Sequence, residues 1–458
     1  MSAIAAGWPA YLDAPLEQDA TPRTVALALI SGLAFDIGMR SGVATIGGAL
    51  AVCIVAGALL SSGQVRGAHA KALIAAAPLF GVWLAIRMSP WLLPFDVVAA
   101  AALLLLGASL SGDGSLFDIG VPQAAARALQ AAVQGLLAPV FLVHGTVRGP
   151  ATNVRRVVRA LAITVPMVIV LGALFASADA IFARAVDINI ATTVQHIVLI
   201  VVGTLGAGWL LRLASLREAP VPTVAKPTLD RLEWTIVLVG LDVVLAGFAA
   251  AQLVGLSSSG QRLLHTTYAE YARSGFFQLL AAVAITGLVL VALHASADRT
   301  GARFRIFSFT AIALTLVVVA SAFHRLVMYE HAYGMTMLRL YVQIAIVGAG
   351  VLLVLLALRI GGVSSGRPWF APVVGIVVLA TLFGLNAANP EAMVARYNLS
   401  HRSAHFDPSY LHQLSSDAVP ALAGTKAMCE LRSVSSHGPL AFNLSRSRAT
   451  TLRKESCR

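Results

Sequence analysis

Again and again along this chain, apolar residues run on for about twenty positions before a charge or a turn residue stops them, and as a helix each run spans the roughly 30 Å of a bilayer's hydrocarbon core. No compact aqueous core hides that much apolar surface. Of the 458 residues 58% are hydrophobic and only 12% charged, whereas soluble domains carry about a quarter charged. The expected fold is therefore all-α: a polytopic integral membrane helix bundle. Bounding the runs by charges and turn residues gives about eleven transmembrane helices, near 22–39, 43–60, 72–88, 91–110, 158–176, 193–213, 234–256, 275–295, 306–324, 338–358 and 369–386. The chain then divides into a polar N-terminal segment, 1–21, a transmembrane body, 22–386, and a small polar tail, 387–458.

The stretch 122–146 is long and apolar enough to suggest a further crossing. Gln123, Arg127, Gln130 and Gln134, however, recur at helical steps and draw a polar stripe along one face. Such a face suits the headgroup plane better than hydrocarbon, so the segment is expected to be an interfacial amphipathic helix, with Pro139 bending or ending it.

Basic residues set the sidedness. With eleven spans and a cytoplasmic N-terminus, the short outer loops hold only Arg40, Arg87, Arg184, Arg262, Arg273, Arg325 and Arg339, and the inner loops hold most of the rest. That is the bias of the positive-inside rule. A twelve-span alternative moves Arg23, Arg66 and Lys71 outside and sinks Arg127 in lipid. Both arrangements agree from residue 158 onward and leave the tail extracytoplasmic. The first twenty residues carry Asp13, Glu17 and Asp19 without a basic n-region, so no removable signal peptide is read and the first span is expected to act as its own insertion signal.

The formal charge is +12, from 33 Lys and Arg against 21 Asp and Glu. In so apolar a chain the excess marks loops facing anionic lipid, and the partner it implies is the lipid bilayer, not nucleic acid. Three cysteines allow no metal cluster. Cys53 lies in an apolar run, while Cys429 and Cys457 are able to pair if the tail meets an oxidising compartment. No HExxH, Walker A, nucleophile-elbow or kinase pattern occurs, so no catalytic residue, metal or cofactor is assigned.

Ionisable groups inside spans are expensive and therefore candidates for function. Asp242 is the foremost. Its helical neighbours Ala246, Ala249 and Ala250 make a small-residue strip, which leaves two readings open: a proton or cation site, or a carboxyl that hydrogen-bonds helices together. Asp36 and Asp96 lie near span ends, where local water suffices. His196, His324, His265 and His331 fall near the outer surface and read as interfacial histidines. The richest chemistry also collects there. One loop carries Tyr268, Glu270, Tyr271 and Arg273, another Tyr329, Glu330, Tyr333 and Arg339, a third Asp179, and the start of the tail Arg396, Tyr397 and Asn398. Two Glu and Arg sets among several tyrosines read either as a cleft for an envelope ligand or protein partner, or as a structural lid of salt bridges.

The same loops resemble a known family. Thr267-Tyr268-Ala269-Glu270-Tyr271-Ala272-Arg273-Ser274-Gly275-Phe276-Phe277, Tyr333-Gly334-Met335-Thr336 with Leu338-Arg339, and Asn389-Pro390-Glu391 with Ala395-Arg396-Tyr397-Asn398 are similar to an uncharacterised bacterial multi-pass family, domain of unknown function 4173, related to 4153. Ser177-Ala178-Asp179, Asp407, Tyr410-Leu411 and Ser416 to Leu422 fit the same pattern. The resemblance implies a protein of the bacterial cytoplasmic membrane and transfers no catalytic residue. The family more usually carries an amide at the Asp242 position, which favours helix packing there. The expected role is binding or sensing through the outer cluster. The alternative is a secondary transporter, proton-coupled through Asp242.

Overall fold

The computed structural model describes residues 20–112, 115–118, 120–147, 190–216, 229–256, 276–296, 301–363, 368–401, 406–431 and 438–457, with isolated helical positions between 164 and 175. Among these residues the regular structure is entirely helical. Eight helices are long and apolar enough to cross a membrane, and two more apolar helices are shorter. The crossing expected at 158–176 lies outside the described residues apart from those isolated positions.

Two compact units divide the chain, the first from Met1–Leu116, Val121–Pro222 and Val434–Ser447, the second mainly from Thr223–Ser433 and Arg448–Arg458. The first unit contains α1 (Pro22–Ser41), α2 (Ile46–Ser61), α3 (Ala68–Ile86), α4 (Leu93–Ser109), α5 (Val121–Leu136), α6 (Ala138–Val147) and α7 (Ile190–Ser215). Thr21 caps α1 by accepting from the Thr24 amide, with Pro22 in the first turn, where its missing N–H leaves no bond unmade. α1 and α7 pack backbone to backbone because glycines face each other. A Cβ on Gly32 would lie 2.6 Å from the Ile200 carbonyl oxygen, and one on Gly203 would lie 2.6 Å from the Phe35 Cβ. Small residues substitute for the hydrophobic drive that lipid removes.

The stretch expected as one interfacial helix is two, α5 and α6, separated at Leu137. Pro139 sits in the first turn of α6, the position a helix tolerates. The polar stripe also points elsewhere than expected. Arg127 Nη1 donates to the Ser109 carbonyl at 2.9 Å, and Gln134 Oε1 accepts from Arg212 Nε at 2.9 Å, both Gln134 and Arg212 being buried. Leu136, on the opposite side, is 80% exposed. Arg127 and Gln134 of the stripe therefore bind protein, while Leu136 opposite them is open.

A late segment of the sequence closes this unit. Asn443, buried, donates its amide to the carbonyls of Ala44, Leu84 and Arg87 at 3.2, 3.1 and 3.0 Å, and its Oδ1 accepts from the Arg446 amide. The Ile46 amide donates to the Phe442 carbonyl at 2.9 Å, so the first turn of α2 is capped by the chain's own far end.

The second unit contains α8 (Arg231–Leu256), α9 (Phe276–Ser296), α10 (Ala302–Tyr333), α11 (Met337–Ile360), α12 (Phe370–Ala388), α13 (Pro390–Ser400) and α14 (Lys426–Glu430), with 3-10 turns at Pro408–Gln413 and Ser416–Ala421. The terminal helix α15 (Leu444–Ser456) begins in the first unit and ends in the second. Trp234, Leu238, Leu290, Ile312, Val318 and Leu353 form the core of its spanning helices. A second core, around Met337, Val394, Leu411, Val419, Leu422 and Met428, packs the tail against the start of α11. At the corner between α12 and α13, Asn389 takes the left-handed conformation (φ 57°), caps the Ala392 amide and donates to the Asp417 carbonyl at 2.8 Å. Cys429 and Cys457 form a disulfide, their Cα atoms 5.7 Å apart, and Arg453 donates to the carbonyls of Met428, Cys429 and Leu431 beside it.

The glycine crossing makes a direct test. Gly32→Ala should destabilise the purified protein by about 1–3 kcal/mol, because the added methyl meets backbone that has no room to give. Gly57→Ala, where a Cβ meets nothing within 4 Å, should be neutral or mildly stabilising through helix propensity. Thermal unfolding in nanodiscs checks both, and equal midpoints for the two variants would contradict the close packing.

Candidate functional site

The last three turns of α10 present a buried polar ladder. Ser321 Oγ and Arg325 Nη2 both donate to Gln252 Oε1 of α8, at 2.7 and 2.8 Å. Further along the same helix, Glu330 is 3% exposed, and its Oε2 accepts from Gln343 Nε2 of α11 at 2.6 Å. Glu330 Oε1 is also buried and has no hydrogen-bond partner among the described residues. A carboxylate in the last turn of a helix already faces the partial negative charge of the terminal carbonyls, so an unmatched oxygen there is electrostatically exposed.

Around Glu330 the chain turns from α10 into α11 through Gly334, Met335 and Thr336. Gly334 adopts φ 75°, and a Cβ there would lie 2.6 Å from Phe406 Cδ2 and 2.9 Å from Asn398 Oδ1, so glycine is required twice over. Asn398 holds the turn by both ends of its amide: Oδ1 accepts from the Met335 N–H at 2.8 Å and Nδ2 donates to the Met335 carbonyl at 2.7 Å. Tyr410 OH accepts from the Met337 amide at 2.7 Å, and Thr336 caps α11. Arg339 Nη1 donates to the carbonyls of Tyr333 and Gly334, satisfying the end of α10, while its guanidinium lies 4.4 Å from the Tyr329 ring centroid. The rings of Tyr329 and Tyr333 are 4.8 Å apart, and Tyr397 stacks on His401 at 4.4 Å. Burial, then the nearby charge of Glu330, pushes the Tyr397 phenol up from its ordinary value. Burial likewise raises Tyr410, whereas the hydroxyl and amide of Ser409 bonded to exposed Asp407 pull that carboxyl down.

Of the residues singled out in the sequence, Tyr329, Glu330, Tyr333, Arg339, Tyr397 and Asn398 are thus brought to one end of the second unit, and Arg396 is exposed on the same short helix as Tyr397. Asp179, Tyr268, Glu270, Tyr271 and Arg273 lie outside the described residues. Asp242 is half-buried on α8, with both carboxylate oxygens buried and without a hydrogen-bond partner among the described residues. Of its small-residue strip, Ala249 is buried and Ala246 and Ala250 are exposed.

Sequence reasoning missed two arrangements. Gln252 and Gln343, single amides in apolar helices, carry no local signal, yet each completes the polar ladder. In the first unit, buried Asp36 accepts from Arg40 Nε at 3.2 and 3.1 Å and lies 3.0 Å from His196 Nδ1 across the α1–α7 crossing. Its partners are therefore protein groups where local water was expected. The four-residue spacing of Asp36 and Arg40 was readable as a helical ion pair, but the histidine was not.

With this geometry in place, comparison with known proteins adds one finding. The family model described as Domain of unknown function (DUF4153) matches residues 74–424, from within α3 past the Glu330 cluster to just beyond the 3-10 turn at Ser416–Ala421. No curated protein and no solved structure matches the chain. The match supports the coarser part of the resemblance read from the loop motifs, an uncharacterised domain-of-unknown-function family, and names 4153. The chain is a multi-pass membrane protein of unassigned activity, and it belongs to the family described as domain of unknown function DUF4153.

Proposed function

We propose that this protein resides in the cytoplasmic membrane of a bacterium, crosses it eleven times with its N-terminus inside and its C-terminus outside, and binds an envelope ligand or partner at an outward-facing cluster centred on Glu330. In this reading residues 1–21 are a cytoplasmic segment, 22–386 the membrane body and 387–458 the outer tail. The observation that carries the binding role is the buried Glu330 carboxylate with one oxygen unmatched, since a packed lid would have satisfied it.

Three observations support the sidedness. Asn443 donates to the carbonyls of Ala44, Leu84 and Arg87, so an even number of crossings separates the start of α2 from the tail. Eleven spans satisfy that parity and twelve do not. The Cys429–Cys457 disulfide belongs to an oxidising compartment, and the tail segments flanking it pack against the α10–α11 turn, so the cluster shares its side. Gln252 near the end of α8 touches α10 at Arg325, which supports bringing the sequence after residue 256 to the same end as Glu330.

A second reading, proton-coupled transport, is favoured by the two unmatched oxygens of Asp242. It expects pH-gradient-driven flux in proteoliposomes that Asp242→Asn abolishes, and unchanged flux in that variant would exclude it.

For the binding reading, Glu330→Gln should accumulate in membranes at wild-type level by immunoblot yet fail to complement whatever defect deletion of the gene produces. Complementation at full strength, or a loss of protein in proportion to the loss of complementation, would make Glu330 a packing residue.

A further inference from the structure

The chemistry around Glu330 restricts what completes it. Glu330 is a single carboxylate supported by one neutral amide, Gln343, and among the described residues it has no ion-pair partner. Arg339 acts on it through space, but Nη1 of that guanidinium is bonded to the carbonyls of Tyr333 and Gly334 and its face lies over Tyr329. Arg339 already meets the last carbonyls of α10, so the unmet charge there is the carboxylate's own. A cation is therefore the favoured occupant. Hard divalent ions require six or more oxygens, and among the described residues no three acidic, His or Cys side chains gather to supply them. Tyr329 and Tyr333 lie within one turn of Glu330 on α10, and Tyr397 is near enough to feel its charge; all three are half-buried, and aromatic rings attract organic cations.

We propose that Glu330, with Gln343 and the neighbouring tyrosines, binds an alkylammonium group, its N–H donating to Glu330 Oε1. This rests on the reading of the cluster as an outward binding site and names the chemistry of its ligand. An ammonium of this kind is carried either by the headgroup of an ethanolamine lipid or by a free amine.

The test uses full-length protein in nanodiscs and follows its thermal unfolding midpoint. In phosphatidylglycerol discs, which hold no amine, ethylammonium chloride should raise the wild-type midpoint by several degrees over sodium chloride of equal strength. Phosphatidylethanolamine discs should raise it without added salt if the headgroup is the source. Either response should fall by more than half in Glu330→Gln. A wild type indifferent to ethylammonium and to ethanolamine lipid would overturn the proposal, as would an equal response in Glu330→Gln. Should that variant fail to accumulate, the wild-type arms decide alone. An indifferent wild type combined with failed complementation by Glu330→Gln would remove the ammonium and keep the binding site, and an amine-responsive wild type fully complemented by Glu330→Gln would do the reverse.

Discussion

Hydrocarbon offers no hydrogen bonds, and every feature of this protein follows from that. Backbone amides and carbonyls must be matched within the chain, which makes the described structure helical throughout. Side chains that carry dipoles must be matched by other protein groups, which turns Gln134 toward Arg212, Gln252 toward Ser321 and Arg325, and Asp36 toward Arg40 of its own helix and His196 of α7. Against that background an unmatched buried oxygen stands out. Among the described residues Glu330 and Asp242 are carboxyl groups that have them, one near a helix end and the other in mid-helix, alongside the amide oxygen of Gln64 and the hydroxyls of Thr204 and Ser308.

The turn between α10 and α11 shows how side chains are spent on matching backbone groups at a corner. Gly334 supplies the turn's positive φ, and Asn398, Arg339 and Tyr410 are spent on its backbone, each bonded to an amide or carbonyl that the corner would otherwise strand. That corner holds Glu330 against Gln343, with its second carboxylate oxygen buried and without a hydrogen-bond partner among the described residues.

How much of this was legible beforehand follows from the range of each interaction. The helices were readable because hydropathy is summed over about twenty neighbouring residues, and boundaries mostly agree within a few positions. The exception is α10, which runs to Tyr333 although His324 and Arg325 suggested an end near 324. Arg325 is tolerated inside the helix because Gln252, 73 residues away in sequence, accepts its charge-assisted bond. Periodicity placed Gln123, Arg127, Gln130 and Gln134 on one face, but period alone does not say what a face meets. Residues 329 to 339 and 396 to 398 were readable as a cluster, and which of them clamp the turn was not, since Asn398 bonds a residue 63 positions earlier.

The account depends on Glu330 and the tail sharing the outer surface while the α2–α3 connection lies inside. Impermeant maleimide labelling of single cysteines in sealed cells, in a Cys53→Ser background, measures this most directly. His401→Cys, on the exposed end of α13, should label without permeabilisation, and Ser61→Cys, at the exposed end of α2, only after it. Labelling of both from outside, or of Ser61→Cys alone, would contradict the account.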